Sequence, residues 1–420
     1  MKIWIMNHYA AHMRTDKGGR HYWFAKYLDK MGYRPVVFCA NKEQEKLWEK
    51  KMAEDIHTPF INVKVHGTRD GGLTRIINMV SFYFNVKRAA VQFEKIDGKP
   101  DIILASSVHP LTLIAGEQLA KRYGVPCICE MRDLWPEAIV AYSKKIKKDS
   151  LLAKMLYAGE KWIYTRADAL IFTQEGGPDY IREKGWDSEH GGPIDLRKAY
   201  HINNGVDLEA FDKNLKEFYY EDEDMDDPDT FKVVYAGAIR RINNLGLIVD
   251  AAKLVKDPKI RFVIFGHGDQ LEPLKQRLID EDIHNVVFKG RVNKQYIPSI
   301  DARADVNLVH WEMNPLLRVG ESYNKSFEYF AAGKPVFYTV RPGYSIVEKY
   351  KCGLLTEGFT PQDIANGIEK IAAMSDEEKE TMAKNARKVA EIYDFKNHTK
   401  KLVEIISSCL EEKKDGKDRD

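Results

Sequence analysis

The run Gly320-Glu321-Ser322-Tyr323-Asn324-Lys325-Ser326-Phe327-Glu328-Tyr329-Phe330-Ala331-Ala332-Gly333-Lys334-Pro335-Val336 reads as a polar loop, a short helix and the start of a strand. A helix N-terminus leaves backbone N–H groups unpaired and attracts phosphate. Ser322 or Asn324 can cap that end, and Lys325 sets a full positive charge beside it. Glu328 falls one turn beyond Asn324 on about the same face, where a carboxylate can accept hydrogen bonds from sugar hydroxyls. Gly333 stands where a helix ends, and Pro335 blocks its continuation. Phosphate at the tip and hydroxyls one turn in point to a nucleotide.

Outward from this run, short apolar stretches alternate with longer helical patterns. Ile3–Met6, Pro35–Ala40, Ile102–Ala105, Cys127–Glu130 and Ala169–Thr173 read as buried strands, and Gly19–Met31, Leu111–Tyr123 and Leu151–Arg166 as helices between them. Such alternation predicts βαβ units on a parallel sheet. Turn residues at His201–Asp207 and an acidic stretch from Phe218 to Thr230 interrupt the series. A second series starts at Lys232–Gly237 and continues through Phe262–Gly266, Val286–Lys289, Val306–His310 and Pro335–Val340. The expected fold class is α/β, with two Rossmann-like doubly wound domains, residues 1–204 and 205–395, facing across a cleft. A long last helix is expected from about Glu378 to Glu412, and a charged tail follows it.

Composition narrows the function. A length of 420 residues with 44% hydrophobic content suits two or three soluble domains, and a formal net charge of +2 without a long basic tract argues against nucleic acid. Five cysteines, with Cys127 and Cys129 one residue apart inside a strand, fit neither a disulfide framework nor a zinc pattern. They imply a reduced, cytoplasmic setting. No apolar run reaches bilayer length, and Met1–Met6 reads as a first strand rather than a signal peptide.

Other segments carry candidate chemistry. Gly237-Ala238-Ile239-Arg240-Arg241 follows the first strand of the second domain; its small residues let backbone approach a ligand, and Arg240 or Arg241 could bridge a diphosphate. Gly266-His267-Gly268-Asp269 follows the next strand but is only half of a dinucleotide fingerprint. Gly18-Gly19-Arg20 lies between the first strand and the first helix. Ser106-Ser107-Val108-His109-Pro110 and Arg132-Asp133 follow strand ends, where polar residues of a parallel sheet face ligands. Asp222-Glu223-Asp224 has DxD spacing but follows no apolar strand, so it reads as a solvated charge run, and no metal is expected. Residues 75–88 mix aromatic, aliphatic and basic side chains in a helical stretch, which suits core packing with membrane contact at its margin.

Asn324–Val336 resembles the donor-binding segment of retaining GT-B glycosyltransferases of the large family four. In the branch that builds bacterial surface polysaccharides, that segment often reads Asn-Lys-x-Phe-Glu-Tyr-x-Ala-Ala-Gly-Lys-Pro-Val. Glu130-Met131-Arg132-Asp133-Leu134-Trp135-Pro136 is similar to the same branch's Arg-Asp-Leu-Trp-Pro motif. The resemblance implies a metal-independent hexosyltransferase with a nucleotide-diphosphate sugar as co-substrate and no cofactor. Its acceptor would be a polyprenyl-diphosphate-linked glycan at the inner face of the cytoplasmic membrane.

Carried over residue by residue, the resemblance implies catalytic roles for His109, Arg240, Lys325 and Glu328. Donor contacts fall to Gly18, Gly19, Gly237, Arg241, Gly266, His267, Arg291, Val292, Glu321, Ser322, Tyr323 and Asn324. Arg20, Arg132 and Asp133 fall on the acceptor side, where Arg132 and Asp133 either touch substrate or pair with each other. Residues 396–420 would cross back to the first domain. Two departures stand out: no Lys follows Arg240 and Arg241 at Asn243-Asn244-Leu245-Gly246, and Gly320 occupies the position of the family's first glutamate, with Glu321 beside it. Two rival readings are a sugar-nucleotide epimerase of the same fold and a non-catalytic binding subunit of a polysaccharide assembly complex.

Overall fold

A computed structural model describes residues 1–68, 71–142 and 146–417, so the last three residues of the charged tail lie outside the described residues. The chain forms two compact units, Met1–Asn203 with Phe395–Asp420, and Asn204–Asp394.

The first unit is built on an eight-stranded sheet. In chain order it contains β1 (Lys2–Asn7), helix α1 (Arg20–Lys30), β2 (Arg34–Asn41), β3 (Trp48–Met52), β4 (Pro59–Lys64), α2 (Gly72–Asp97), β5 (Ile102–Ser106), α3 (Pro110–Tyr123), β6 (Cys127–Met131), α4 (Leu151–Arg166), β7 (Ala169–Phe172) and β8 (Ala199–His201). The strand order is β3-β4-β2-β1-β5-β6-β7-β8, parallel except where β3 runs antiparallel to β4. Ile5 of β1 stands opposite Val37 and Leu104, and the central strands are buried along their whole length, which is why they read as unbroken apolar runs. The β3 edge strand, Trp-Glu-Lys-Lys-Met, carries no such signal; its charge suits an exposed sheet edge.

The second unit carries a six-stranded, all-parallel sheet in the order β11-β10-β9-β12-β13-β14. Its elements include β9 (Phe231–Ala236), α5 (Gly246–Leu254), β10 (Ile260–Phe265), β11 (Val286–Gly290), α6 (Ile297–Ala302), β12 (Val306–Val309), α7 (Asn324–Ala331), β13 (Val336–Tyr338), α8 (Ile346–Tyr350) and β14 (Gly353–Leu355). Gly333, just past the C-cap residue Ala332, has φ +61°, as a helix-ending glycine requires.

The single long helix expected near the end is two helices, Asp376–Ile392 and Phe395–Lys417. The break has a packing cause. Tyr393 belongs to the core of the second unit, against Phe327, and its carbonyl accepts the Val206 N–H, whereas Phe395 packs edge-on against Phe24 in the first unit. Helix Phe395–Lys417 then lays Leu402, Ile405, Ile406 and Cys409 into the core with Tyr22, Phe24 and Leu28 of α1. All five cysteines are buried. Among the described residues, no helix is long and apolar enough to cross a membrane.

Candidate functional site

In the second unit the chain leaves β9, β10 and β11 through three loops that are stitched together. Gly237 N–H donates to Phe265 O at 3.0 Å, Gly266 N–H to Gly290 O at 2.7 Å and Ile239 N–H to His267 O at 3.0 Å. The glycines are sterically required. Gly266 has φ +148°, and a Cβ there would lie 1.8 Å from Gly237 O; a Cβ at Gly268 would lie 2.1 Å from Ile239 O. The half fingerprint of the sequence is therefore a device for pressing two loops together. Around it opens a cavity of about 340 Å³, lined by Gly237, Arg240, Gly266, His267, Arg291 and Val292, together with Phe265 and Ile297. Five predicted donor residues and Arg240, expected to be catalytic, thus share one concavity, and Arg241 is exposed beside Arg240.

Helix α7 is fastened against this loop system. The Tyr329 hydroxyl accepts from Ala236 N–H at 2.8 Å and donates to Ala236 O at 3.2 Å, joining the helix to the end of β9. Lys325 lies one turn earlier. Its Nζ sits 4.0 Å above the Tyr235 ring and donates to the Tyr235 hydroxyl at 2.8 Å, and that hydroxyl donates to Ala238 O at 3.0 Å. A Cβ on Gly237 would come within 2.8 Å of this Nζ, so the ammonium rests against the glycine of the first loop. Burial pushes the Lys325 pKa down to about 7, against the opposing pull of Asp301 and Glu328.

Asp301, on α6, is fully buried, and neither of its carboxyl oxygens meets a hydrogen-bond partner. Burial, and then the charge of Glu328, raise its pKa well above the ordinary carboxyl value. Glu328 itself is partly exposed, with Lys294 Nζ 3.9 Å away.

Neither Ser322 nor Asn324 caps α7. The N-cap position belongs to Tyr323, no side chain caps the first turn, and Asn324 is already the first helical residue. The Ser322 carbonyl instead accepts from Asn204 Nδ2 at 2.8 Å, and Tyr323 packs on Trp311 with ring centroids 5.0 Å apart. Glu321 points inward: it is 3% exposed, accepts the Ile346 N–H at the start of α8 at 3.2 Å, and burial raises its pKa to about 7. Asp222 and Asp224 are held by Lys289, and Asp226 by Arg303, so the DxD run is neutralised within the fold rather than solvated.

In the first unit the carboxyl ends of β1, β5 and β6 carry a buried polar network. Glu130 accepts from Arg20 Nε at 2.8 Å and from Ser106 Oγ at 2.6 Å, and lies 3.1 Å from His21 Nε2. Burial alone would raise the Glu130 pKa; Arg20 and His21 overcome it and hold the carboxyl far below its ordinary value. Arg20 is 3% exposed, and its remaining N–H groups donate to the carbonyls of Asn203 at 2.5 Å and Ile202 at 2.8 Å. Its guanidinium is consumed inside the unit, which corrects the expectation that it reaches a substrate. Gly19, with φ +98°, is the N-cap of α1, and its Cβ would lie 3.0 Å from Met13; Gly18 is buried and donates to Met13 O.

His109 is buried as the N-cap residue of α3. Its Nε2 lies 2.5 Å from His8 Nδ1, and the His8 ring stacks on Phe82. Burial first, and then Arg75, push the His109 pKa down to about 3, so it is a neutral imidazole at physiological pH. Arg132 is half-buried, its N–H donates to Ser107 Oγ at 3.0 Å, and Asp133 is exposed.

His8, Tyr235, Asp301 and His310 were not among the predicted residues. His310 directly follows β12 and is hydrogen-bonded to Thr339 and the Asn244 carbonyl. His8 and His310 do share one visible signal, a histidine directly at the end of an apolar strand.

Comparison with known proteins follows the same division. Residues 19–191 match the family described as Glycosyl transferase 4-like domain, and residues 221–389 match Glycosyl transferases group 1. The chain is 24% identical over 279 residues to the probable glycosyltransferase WbjE of Pseudomonas aeruginosa, covering 66% of this chain and 64% of that protein, less than two thirds of the relative's length. Among solved structures it is similar to sucrose-phosphate synthase from Thermosynechococcus elongatus, with a TM-score of 0.71, 17% identity and coverage of 97% and 98% of the two chains. It is also similar to HepE of Anabaena, solved in complex with UDP-glucose, with a TM-score of 0.63, 16% identity and coverage of 97% and 100%. The chain thus carries a glycosyl transferase 4-like domain followed by a glycosyl transferases group 1 domain, on a GT-B fold.

Proposed function

We propose that the chain is a retaining glycosyltransferase that takes a sugar from a nucleotide-diphosphate sugar held on the second unit and passes it to an acceptor held on the first. The observation that carries this reading is the cavity lined by Gly237, Arg240, Gly266, His267, Arg291 and Val292, with Lys325 packed against Gly237. Close glycine backbone, cations and an uncapped helix start suit a diphosphate, and the accessible carboxylate of Glu328 one turn along suits ribose hydroxyls. The UDP-glucose complex of HepE, a protein of the same fold, supports a donor of that class.

In the reaction the bond between the anomeric carbon and the diphosphate oxygen breaks, and the acceptor hydroxyl oxygen bonds to the anomeric carbon on the same face. The acceptor proton passes to the departing diphosphate. Negative charge grows on that diphosphate, where Arg240, Arg241, Lys325 and the first turn of α7 would stabilise it without a metal. His109, neutral and held beside His8, would orient the donor sugar and not act as a base. Arg132 and Asp133 would meet an acceptor, which we take to be a polyprenyl-diphosphate-linked glycan at the inner membrane face.

The test is incubation of the purified chain with a panel of nucleotide sugars and lipid-linked acceptors in the presence of a chelator. Product anomeric configuration is read by NMR. Transfer with retention is expected; neither transfer nor donor hydrolysis across the panel would refute the reading.

A further inference from the structure

Helix α2 is apolar on two opposite faces. At about 100° per residue, Phe82, Val86, Ala89 and Phe93 lie on one side and enter the core, while Leu73, Ile76, Ile77, Val80 and Phe84 fall on the other and remain exposed, Leu73 at 72%. Helix α4 repeats the pattern: Leu151, at 76%, Met155 and Trp162 share an exposed face, and Arg166 lies 4.2 Å over the Trp162 ring. Isolated exposed apolar residues are ordinary, but two long stripes are not.

The topology brings the stripes together. β4, β5, β6 and β7 follow one another in the same direction across the sheet, so right-handed crossovers set α2, α3 and α4 on one side, with α3 packed between the other two. The N-terminal turns of α2 and α4 then lie at the carboxyl edge of the sheet, the edge that carries His8, His109 and Arg132. Arg75 of α2 is close enough to His109 to act on its charge.

The charge of these segments is one-sided. Residues 71–93 contain Arg75, Lys87 and Arg88 and no Asp or Glu. Lys147, Lys148 and Lys154 surround the start of α4 against a single exposed acid, Asp149; Lys161 and Arg166 lie further along the helix, whose Glu160 is buried against Tyr164 and Tyr180. This bias is local, because the whole chain carries only +2. A second copy laid symmetrically on the same face would set cation against cation, whereas an anionic lipid headgroup layer over an apolar interior complements both features.

We infer that the exposed faces of α2 and α4 form one surface that docks the first unit onto an anionic phospholipid membrane, Leu73, Ile77, Phe84, Leu151 and Met155 entering the acyl boundary and the flanking Lys and Arg meeting headgroups. The inference deepens the proposed function, on which it rests only for the lipid-linked nature of the acceptor; docking itself needs no donor. The carboxyl edge of the sheet would then be brought down to the bilayer, where a membrane-bound acceptor presents its saccharide.

The test uses the full chain and cosedimentation with vesicles of phosphatidylcholine with and without phosphatidylglycerol. Binding is expected to the anionic vesicles and to fall with added salt. The pairs Leu73→Glu with Ile77→Glu, and Leu151→Glu with Met155→Glu, are each expected to lower partitioning about tenfold or more. A retained thermal shift with UDP-glucose shows that each variant is folded in the second unit, and an unchanged circular dichroism spectrum extends that to the first. No binding to anionic vesicles, or equal binding by the variants, overturns docking. So does a dimer in light scattering that the same substitutions dissociate, since the face would then bind a second copy. If vesicle binding holds while no nucleotide sugar is bound, the donor reading fails and docking stands.

Discussion

Raising the pH from 6 to 9 should weaken binding of a nucleotide-diphosphate sugar, because the cation we propose for the diphosphate is held at the edge of ionisation. Lys325 sits over the Tyr235 ring, and burial brings its pKa from an ordinary 10.5 to about 7. At about 1.36 kcal/mol per unit, confining its charge costs the empty protein on the order of 5 kcal/mol. The sign follows from linkage. A lysine whose folded pKa is lowered binds fewer protons folded than unfolded between pH 7 and 10.5, so this destabilisation is complete below pH 7 and fades as pH rises. A bound diphosphate reverses the balance by supplying anionic oxygens to the ammonium, which raises its pKa. UDP-glucose suits the measurement because its two phosphates do not titrate in this range. Its Kd should be flat below pH 7 and rise toward tenfold per pH unit between about 7 and 9. Calorimetry in buffers of different ionisation enthalpy should show about one proton taken up per ligand near pH 8. Lys325→Met should bind more weakly and lose both the pH slope and the proton uptake. A wild-type Kd that stays level from pH 6 to 9 with no proton uptake would refute the reasoning.

Three further outcomes follow from the geometry. Gly266→Ala sets a methyl against Gly237 O in a backbone conformation that alanine rarely adopts; a loss of about 2–4 kcal/mol in denaturation and of donor binding is expected. Glu328→Ala should leave stability within about 0.5 kcal/mol, since Lys294 lies as far as 3.9 Å from its carboxylate, yet raise the donor Kd at least about tenfold by titration. Arg20→Met strands the buried Glu130 carboxylate and should cost about 3–5 kcal/mol in urea denaturation, and adding Glu130→Gln should recover much of it.

The parts legible in the sequence are those fixed by near neighbours. Apolar runs bounded by turns revealed the central strands of both sheets, and Asn324 to Gly333 revealed a helix with Lys325 and Glu328 one turn apart. What stayed hidden depends on distant partners. Arg20 followed two glycines at a strand end, as a ligand-binding arginine would, but its role is decided by Glu130, 110 residues away. Tyr235 reads in the sequence as one more apolar strand residue, and its part in the site comes from Lys325 above its ring. Glu321 lay beside the expected position of a sugar contact, and only the start of α8 shows where its carboxyl goes. The last helix had a continuous helical pattern; Tyr393 and Phe395 divide it because they belong to different cores.

That division has a consequence for biosynthesis. The second unit is a continuous stretch of chain, whereas the first is completed only by Leu402, Ile405, Ile406 and Cys409. A ribosome adding about 5–20 residues per second needs about 10–40 s to make the intervening stretch. Through that interval α1 would present Tyr22, Phe24 and Leu28 without the helix that covers them. The unit translated second can therefore mature first, and the nascent N-terminal half is the species that most needs a chaperone's shelter.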